Sequence, residues 1–321
     1  PGGQSERLVS FVDLAPTVLS IAGIRPPEWM QGHAFAGPYQ SKPQPYLFGQ
    51  RGRMDERMDL VRSVTDGRYI YLRNYHPHVS QAQRVTYQFE TPTTRVWHQL
   101  FTDGRTTQAQ SLFWRVPKAV EELYDLQTDP DEVHNLADSP EHQAVLEKLR
   151  TALREHLACV RDICFLPEIE LHARSAGSTP HELARDPATY PFEKILGAAE
   201  LASNLDAGAV PTLAELLTDS DSAARYWGAL GLLMRGPDAV KQETAALERA
   251  LADESSAVRI VAAEALAAHG NPAARGRALD TLAAFAPPEK NGVLVSMSAL
   301  AAIEAVGVKA ASLHPAIAAM Q

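Results

Sequence analysis

Residues 49–75 read GQRGRMDERMDLVRSVTDGRYIYLRNY, and this stretch organises the first half of the chain. It joins a dense charged cluster to a pattern that is typical of a β-hairpin. Asp66-Gly67 favours a two-residue turn, because Asp tolerates a positive φ and Gly has no Cβ that could clash. With Thr65 opposite Arg68, the alternation predicts a half-wet face of arginines and tyrosines, able to hold an anion, and a core face made of Val61, Ser63, Ile70 and Leu72.

The charged cluster before the hairpin has an unusual density of mixed charge. Nine consecutive positions carry six charged residues: Arg51, Arg53, Asp55, Glu56, Arg57 and Asp59. So many charges do not suit a buried strand, and their mixed sign does not suit a simple solubilising face. Two interpretations stay open at this point, a substrate-binding rim and a solvated loop held by ion pairs.

Composition restricts the class of protein. A length of 321 residues with 45% hydrophobic and 21% charged residues fits about two globular domains. The net charge of -9 and the pI near 5.7 offer no basic stripe for nucleic acid. The sequence contains neither a transmembrane run nor a signal peptide, so we expect no membrane span in this chain. Because the chain begins with Pro1 rather than Met, we expect it to be a piece of a longer protein.

The cysteine count says little about the compartment. Cys159 and Cys164 lie five residues apart, and no zinc-binding spacing is present. A small loop disulfide is one reading of this spacing, but we expect two buried free thiols.

Two helices follow from the three-four spacing of apolar residues. Residues 10–23 predict a packing helix with a buried face at Phe11, Leu14, Ala15, Val18, Leu19 and Ala22. Ser139-Pro140-Glu141 predicts the start of a second helix, because it combines a capping serine, a first-turn proline and an acid near the positive end of the helix dipole. The second buried stripe is Val145, Leu146, Leu149, Leu153 and Leu157.

The region between these helices carries aromatic and acidic signals. Residues 75–114 predict a long binding loop anchored by Tyr87, Phe89, Trp97 and Trp114. His76 and His78 are separated by a proline, so we expect structural or rim roles for them rather than metal binding. Residues 122–126 predict a strand, and the acidic turn after it lacks the Gly and Glu that a calcium-binding helix-loop-helix requires.

The last third of the chain contains an internal repeat. Leu217-Thr218-Asp219 matches Leu251-Ala252-Asp253, and Arg225, Ala229 and Leu232 match residues 34 positions later. Two amphipathic helices per unit, joined by a short acidic turn, are typical of a stacked helical solenoid. The pattern resembles short HEAT-like repeats, and residues 161–190 before it read as an ordered connector.

No catalytic motif is present in the sequence. We find no G-x-S-x-G elbow, no glycine-rich phosphate loop and no paired-histidine zinc motif. Taken alone, this chain is expected not to catalyse a reaction.

Three segments resemble the type I sulfatases of the alkaline phosphatase superfamily, a group that includes arylsulfatases and N-sulfoglucosamine sulfohydrolases. ERLVSFVDLAPTVLSIAGI (residues 6–24) is similar to the segment that enters their C-terminal subdomain. LVRSVTDGRYIYLRNY (residues 60–75) is similar to their hairpin, and ELYDLQTDPDEVHNLA (residues 122–137) is similar to their strand, turn and closing asparagine. The resemblance covers residues 1 to about 160 in the family's order.

The resemblance implies a fold class and a division into domains. We expect an α+β sulfatase C-terminal subdomain over residues 1–160, with a small antiparallel sheet and packing helices. The connector at 161–190 and an all-α HEAT-like solenoid at 191–321 complete the chain. A charged cluster with a trailing repeat domain looks like the sulfatases of bacteria that degrade sulfated polysaccharides.

The resemblance also places the chemistry outside this chain. The family's nucleophile is a formylglycine made within a C/S-x-P/A-x-R motif and held on calcium, and its catalytic and metal-binding residues precede the resembling segment. Neither cysteine fits that motif, since Cys159 is followed by Val160-Arg161 and Cys164 by Phe165-Leu166. We therefore expect no catalytic or metal-binding residue here, and a parent sulfuric ester hydrolase that carries both calcium and formylglycine upstream.

The remaining expectations concern the substrate and the partners. Arg51, Arg53, Asp55, Glu56 and Arg57 are the predicted substrate-binding residues, which would contact a sulfated carbohydrate or an aryl sulfate. The repeats would be an accessory that binds a protein partner or a polymer, and the parent would be periplasmic or extracellular. The alternative is an interaction protein with a degenerate sulfatase domain, in which the solenoid carries the function.

Overall fold

The computed structural model describes residues 2–3 and 5–320. Its strands are β1 (Leu47–Arg51), β2 (Val61–Thr65), β3 (Tyr69–Asn74) and β4 (Glu121–Asp125). Its α-helices in the first half are α1 (Leu14–Ile21), α2 (Thr86–Glu90), α3 (Pro92–Thr102), α4 (Gln108–Ser111), α5 (Gln143–Val160), α6 (Glu168–Arg174) and α7 (Pro180–Arg185). Those in the second half are α8 (Phe192–Ser203), α9 (Val210–Leu216), α10 (Ser222–Met234), α11 (Pro237–Gln242), α12 (Thr244–Ala250), α13 (Ser256–His269), α14 (Pro272–Phe285), α15 (Pro288–Asn291), α16 (Val293–Val306) and α17 (His314–Ala318).

Contacts divide the chain into two compact units, each made of separate segments. The sheet unit contains the residues up to Arg51, together with Val61–Arg73 and Glu121–Glu155. The helical unit contains Gly52–Leu60, Asn74–Val120 and the residues from His156 onward. The predicted domain limits at residues 160 and 190 stay a prediction.

The strands form one small antiparallel sheet in the order β1-β2-β3-β4. Leu47 pairs with Thr65 between β1 and β2, and Tyr71 pairs with Leu123 between β3 and β4. Asn135 fastens the outer side of β4, because its side-chain oxygen accepts from the Leu123 and Ala137 amides while its nitrogen donates to the Glu121 carbonyl. A four-stranded antiparallel sheet accompanied by helices is the coarse fold that the sequence predicted.

The hairpin turn lies one residue later than predicted. The Asp66 amide donates to the Tyr69 carbonyl, so Gly67 and Arg68 are the central residues and Gly67 has the positive φ of 95°. The Asp66 side chain accepts from the Arg68 and Tyr69 amides, which accounts for the shift.

The prediction of the buried hairpin face was wrong. The fully buried residues alternate on the face that we expected to be half wet, with Arg62, Val64 and Tyr71 at 3%, 0% and 1% exposure. Internal partners allow this burial. The Tyr71 hydroxyl donates to Glu121, a carboxylate that also receives two hydrogen bonds from Arg150.

The first helix also reverses its predicted burial. A 3₁₀ turn at Phe11–Asp13 precedes α1, and the predicted core residues Phe11 and Val18 are 90% and 64% exposed. The opposite side is buried because the following loop binds it by hydrogen bonds, from the Phe35 amide to the Thr17 hydroxyl and from the Tyr39 amide to Ser20. Periodicity identified two faces of this helix but not the one that the loop covers.

The predicted binding loop at residues 75–114 is largely helical. It contains α2, α3 and α4, and its aromatic residues pack on one another. The Trp97 and Phe113 rings stack with centroids 5.0 Å apart, and Trp114 meets Trp97 edge-on at 5.4 Å. Three of the four residues that we expected to anchor a loop, Phe89, Trp97 and Trp114, therefore form a small local cluster, whereas Tyr87 is exposed.

The second half of the chain consists of helices joined by short connections, two of which are acidic turns. The turn before α10 and the turn before α13 lie 34 residues apart, since these helices begin at Ser222 and Ser256. The buried guanidinium of Arg225 connects the two turns, donating to the Asp219 carbonyl and, through two nitrogens, to the Asp253 carboxylate. The 34-residue step read from the sequence thus corresponds to a structural step.

The segment Val293–Ala318 is long and apolar enough to cross a membrane, judged by length and composition alone. It is the one such helical segment in the described part of the chain, and its apolar window has a mean hydropathy of 1.7. Within it, α16 packs against α13 and α14, and 33% of the apolar window is buried. The absence of a membrane span stays a prediction.

Candidate functional site

Residues 53–57 of the charged cluster form a very tight turn in the helical unit, which we call the charged turn. Met54 and Arg57 exchange two backbone hydrogen bonds of 2.7 and 2.8 Å, which leaves Asp55 and Glu56 at the tip. Asp55 has a φ of 46°, a left-handed conformation that Asp adopts more readily than most residues. The turn presents its charged side chains outward from a small, hydrogen-bonded frame.

Carboxylates from distant helices hold both arginines of this turn. The Arg53 side chain donates from Nε to Glu168 of α6 at 2.5 Å. Arg57 donates to Glu304 of α16 at 2.6 Å and to the Arg84 carbonyl at 2.6 Å. The interpretation as an ion-paired loop therefore describes Arg53 and Arg57 correctly, whereas their role in substrate binding stays a prediction.

Glu56 has a structural partner as well. Its carboxylate accepts from the backbone amide and the hydroxyl of Thr86, the first residue of α2, at 2.8 and 2.9 Å. Hydrogen bonds from its own backbone amide and from Thr86 hold the pKa of Glu56 below its ordinary value. Glu56 is consequently an ionised residue that connects the charged turn to α2.

Three of the five predicted substrate-binding residues line one cavity of about 430 Å³. Arg53, Glu56 and Arg57 are lining residues, whereas Arg51 and Asp55 are not. Arg51 is the last residue of β1 in the sheet unit, and Asp55 is exposed at the tip of the turn. The cavity lies within the helical unit, and its other walls come from residues 76–84, the segment around Glu168 and helices α10, α13 and α16.

Sequence reasoning missed two polar residues on the helical wall of this cavity, Tyr226 of α10 and Glu264 of α13. Burial raises the pKa of Glu264 to about 8, so its carboxyl group is mainly protonated at neutral pH. One signal was available in the sequence. Ala257, Ile260, Val261 and Glu264 follow the three-four spacing of one helical face, which makes Glu264 an acid on an otherwise apolar stripe.

His76 and His78, at the start of the predicted binding loop, also line the cavity. Their rings meet edge-on with centroids 5.6 Å apart, and His76 lies 5.6 Å from the Trp227 ring. Burial is the main cause that lowers the pKa of His78 to about 3, with His76 and Lys118 adding to it, so this imidazole is neutral. Both histidines thus line the cavity, and the structural or rim roles expected for them stay a prediction.

The cysteines differ from the prediction in their exposure. Neither forms a disulfide, as expected, but Cys159 is exposed and Cys164 is half-buried, so the expectation of two buried thiols was wrong. Residues 2–3 and 5–320 contain no cluster of three His, Cys, Asp or Glu side chains placed to hold a metal ion.

Comparison with known proteins identifies relatives for part of the chain. One ulvan-active sulfatase from Formosa agariphila is 39% identical over 182 residues, which is 56% of this chain and 30% of that protein. A second ulvan-active sulfatase from the same organism is 32% identical over 155 residues, 46% of this chain and 28% of that protein. Part of this chain is homologous to sulfatases. The matches span less than a third of either relative's own length.

Two further comparisons add little to this homology. No family model matches the chain. A crystal structure of a protein provisionally described as a sulfatase, from Bacteroides thetaiotaomicron, is 23% identical and covers 46% of this chain and 24% of its own. Its TM-score is 0.30, a similarity too low to support a structural argument.

Proposed function

We propose that this chain is the C-terminal portion of a sulfatase that hydrolyses the sulfate esters of a sulfated glycan, with ulvan as the first substrate to test. The 39% identity over 182 residues with an ulvan-active sulfatase carries this proposal. The three segments that resemble the sulfatase C-terminal subdomain support it. In this proposal the formylglycine nucleophile and its calcium belong to the upstream part of the parent enzyme. The parent would act in the periplasm or outside the cell.

In this proposal the charged turn supplies one wall of the substrate pocket. Arg57 uses Nε and one terminal nitrogen internally, and its other terminal nitrogen has no partner among the described residues. Asp55 is exposed, and no described residue donates to its carboxylate. Ion pairs that fix the two arginines reduce the side-chain entropy lost on binding, so a pre-positioned guanidinium favours a sulfate or a carboxylate.

The helical segment takes the role of a HEAT-like repeat domain. The 34-residue step between α10 and α13 supports this assignment, and so do the Arg225 contacts, which join the turns before these two helices. Because Glu168 and Glu304 reach the charged turn from α6 and α16, we infer that the repeats act as a scaffold for that turn. This role differs from that of an independent module for partner binding.

The test measures sulfate release by the full-length parent on small aryl sulfates and on sulfated glycans including ulvan, with this chain alone as a control. We expect release by the parent and none by this chain. Arg57→Ala in the parent should lower kcat/KM on the glycan about tenfold or more, because it removes the guanidinium that keeps a nitrogen for the substrate. Arg53→Ala should also lower it, because it breaks the ion pair with Glu168 that holds the turn. Arg105→Ala, an exposed arginine outside the cavity lining, is the matched control. The proposal would be contradicted if a parent with verified formylglycine released no sulfate, or if both variants had unchanged kinetics.

A further inference from the structure

The cavity behind the charged turn has the properties of a ligand-binding pocket. Its volume of about 430 Å³ lies within the range of small-molecule sites, roughly 300–1,000 Å³. Most of its wall is apolar, with Leu230 on α10, Ile260 and Val261 on α13, and Ala302 on α16. A pocket of this kind takes its specificity from the few polar groups that face it.

Glu264 is the most distinctive of these polar groups. Its carboxyl group has no hydrogen-bond or ion-pair partner among residues 2–3 and 5–320, although it lies between apolar side chains of α13. A carboxyl group that lines an apolar cavity without an internal partner is available for a ligand. A ligand hydroxyl group can donate a hydrogen bond to it or accept one from it.

The Tyr226 hydroxyl is a second group without a partner in the described part of the chain. Burial is the main cause that raises its pKa, and the Glu264 and Glu168 carboxylates add to the effect. A tyrosine hydroxyl both donates and accepts. Because Glu264 and Tyr226 line the same cavity, both can bind hydroxyl groups of one ligand.

Guanidinium groups line another part of the cavity, those of Arg53, Arg57 and Arg84. Arg53 and Arg57 are ion-paired with Glu168 and Glu304, which also line the cavity, but Arg57 keeps one terminal nitrogen for a ligand. The Arg84 guanidinium has no carboxylate partner among residues 2–3 and 5–320. The free nitrogen of Arg57 and the Arg84 guanidinium therefore favour an anionic substituent on the ligand, such as a carboxylate or a sulfate.

We propose that this cavity binds one sugar unit of an acidic saccharide, with hydroxyl groups on Glu264 and Tyr226 and a sulfate or carboxylate on Arg57. The choice of a saccharide rests on the proposed function. The pocket is formed by the repeat helices α10, α13 and α16 together with the charged turn. The repeats then contribute a subsite for the polymer chain as well as a scaffold.

Calorimetric titration of this chain with an ulvan oligosaccharide, and with the same oligosaccharide after chemical desulfation, tests the pocket. We expect saturable binding at pH 7, and binding at least tenfold weaker for Glu264→Leu. Glu264→Gln keeps a hydrogen-bonding group and should stay within about threefold of the unaltered chain. Glu215→Leu, at an exposed position of α9 outside the cavity, is the matched control and should leave the affinity unchanged.

A second variant keeps the test decisive if Glu264→Leu fails to fold. Ala301→Trp places a large side chain in the cavity from α16 without altering Glu264, and it should abolish binding while the circular dichroism spectrum stays helical. Absence of binding by the unaltered chain, or an unchanged affinity in both variants, would overturn the pocket. Sulfate release by the parent is scored separately. If the parent hydrolyses an oligosaccharide that this chain does not bind, only the proposed pocket is contradicted. If the parent is inactive, the proposed function is contradicted.

Discussion

At the scale of the residue, Glu264 predicts a pH dependence of stability. Its pKa rises from an ordinary value of 4.5 to about 8 on folding, because burial disfavours the carboxylate. The unfolded chain loses this proton near pH 4.5, whereas the folded chain keeps it to about pH 8. The contribution of Glu264 to the free energy of unfolding is therefore complete below pH 4.5 and is lost as the pH rises to 8. One pKa unit corresponds to about 1.36 kcal/mol, and solvent in the cavity screens part of the shift, so we expect a loss of about 2 kcal/mol between pH 5 and 8.

Urea unfolding of Glu264→Gln beside the unaltered chain at pH 5, 6.5 and 8 measures this loss. The variant should gain stability relative to the unaltered chain as the pH rises, and the histidines with lowered pKa values, His78, His156 and His269, contribute equally to both curves. Glu215→Gln is the control and should follow the unaltered chain. Parallel curves for Glu264→Gln would show that this carboxyl group ionises normally in the folded state.

Individual site residues were only partly predictable from the sequence. The density of charge at residues 51–59 identified Arg53, Glu56 and Arg57, which do line a cavity. Glu168, the partner of Arg53, lies 115 positions further along the chain, and Glu304, the partner of Arg57, lies 247 positions further along. No local sequence pattern encodes a contact at that separation. An ion pair across such a separation follows from the tertiary fold alone.

At the scale of the element, the loop after β4 predicts a measurable role for one side chain. Asn135 makes three hydrogen bonds that close this loop against the strand, two as acceptor and one as donor. Asn135→Ala leaves the Leu123 and Ala137 amides without these partners, and we expect a loss of about 2 kcal/mol in the free energy of unfolding. Asn135→Asp is the matched control, because it keeps both acceptor bonds. Equal effects of the two variants in urea unfolding would contradict the role of the acceptor.

A second prediction concerns the link between the turns of the helical repeat. Arg225 is 8% exposed and donates to the Asp219 carbonyl and to both oxygens of Asp253. Arg225→Ala leaves a nearly buried carboxylate unpaired, so we expect destabilisation of about 3 kcal/mol in thermal or urea unfolding. Arg277→Ala removes the exposed pair with Glu248 and should change the stability by less than about 1 kcal/mol. A cost for Arg225→Ala no larger than that of the control would contradict the link.

Elements were easier to predict than their surroundings. The spacing of apolar residues identified α1, α5 and the helices on either side of the repeat turns, because this spacing is a property of the helix itself. It did not identify the buried side of α1, where Thr17 and Ser20 are covered by hydrogen bonds from a loop that the sequence does not mark. Gly37 permits that contact, since a Cβ there would lie 2.5 Å from the Ser20 carbonyl carbon.

At the scale of the whole molecule, the chain leaves each compact unit and returns to it. The helical unit is assembled from Gly52–Leu60, Asn74–Val120 and the residues after His156. The change in composition along the chain indicated where the alanine-rich repeats lie. It gives no information on Gly52–Leu60 and Asn74–Val120, which belong to the same unit but lie far upstream. Contacts between such segments hold the unit together, so they are where single substitutions should have large effects.

The ion pair of Asp59 with Lys118 joins two of these segments and predicts such an effect. The side chains are 1% and 2% exposed, and the Lys118 ammonium donates to both Asp59 oxygens at 2.7 and 2.8 Å. Lys118→Met removes the ammonium group that donates to both oxygens of the buried Asp59 carboxylate, so we expect a loss of about 3–5 kcal/mol in urea unfolding. Asp59→Asn combined with Lys118→Met removes both charges, keeps the acceptor for the Leu60 amide and should recover most of that loss. Lys148→Met, which breaks the exposed pair with Asp66, is the control and should cost less than about 1 kcal/mol. A double variant as unstable as Lys118→Met would mean that packing of the lysine stem, rather than the ion pair, stabilises the unit.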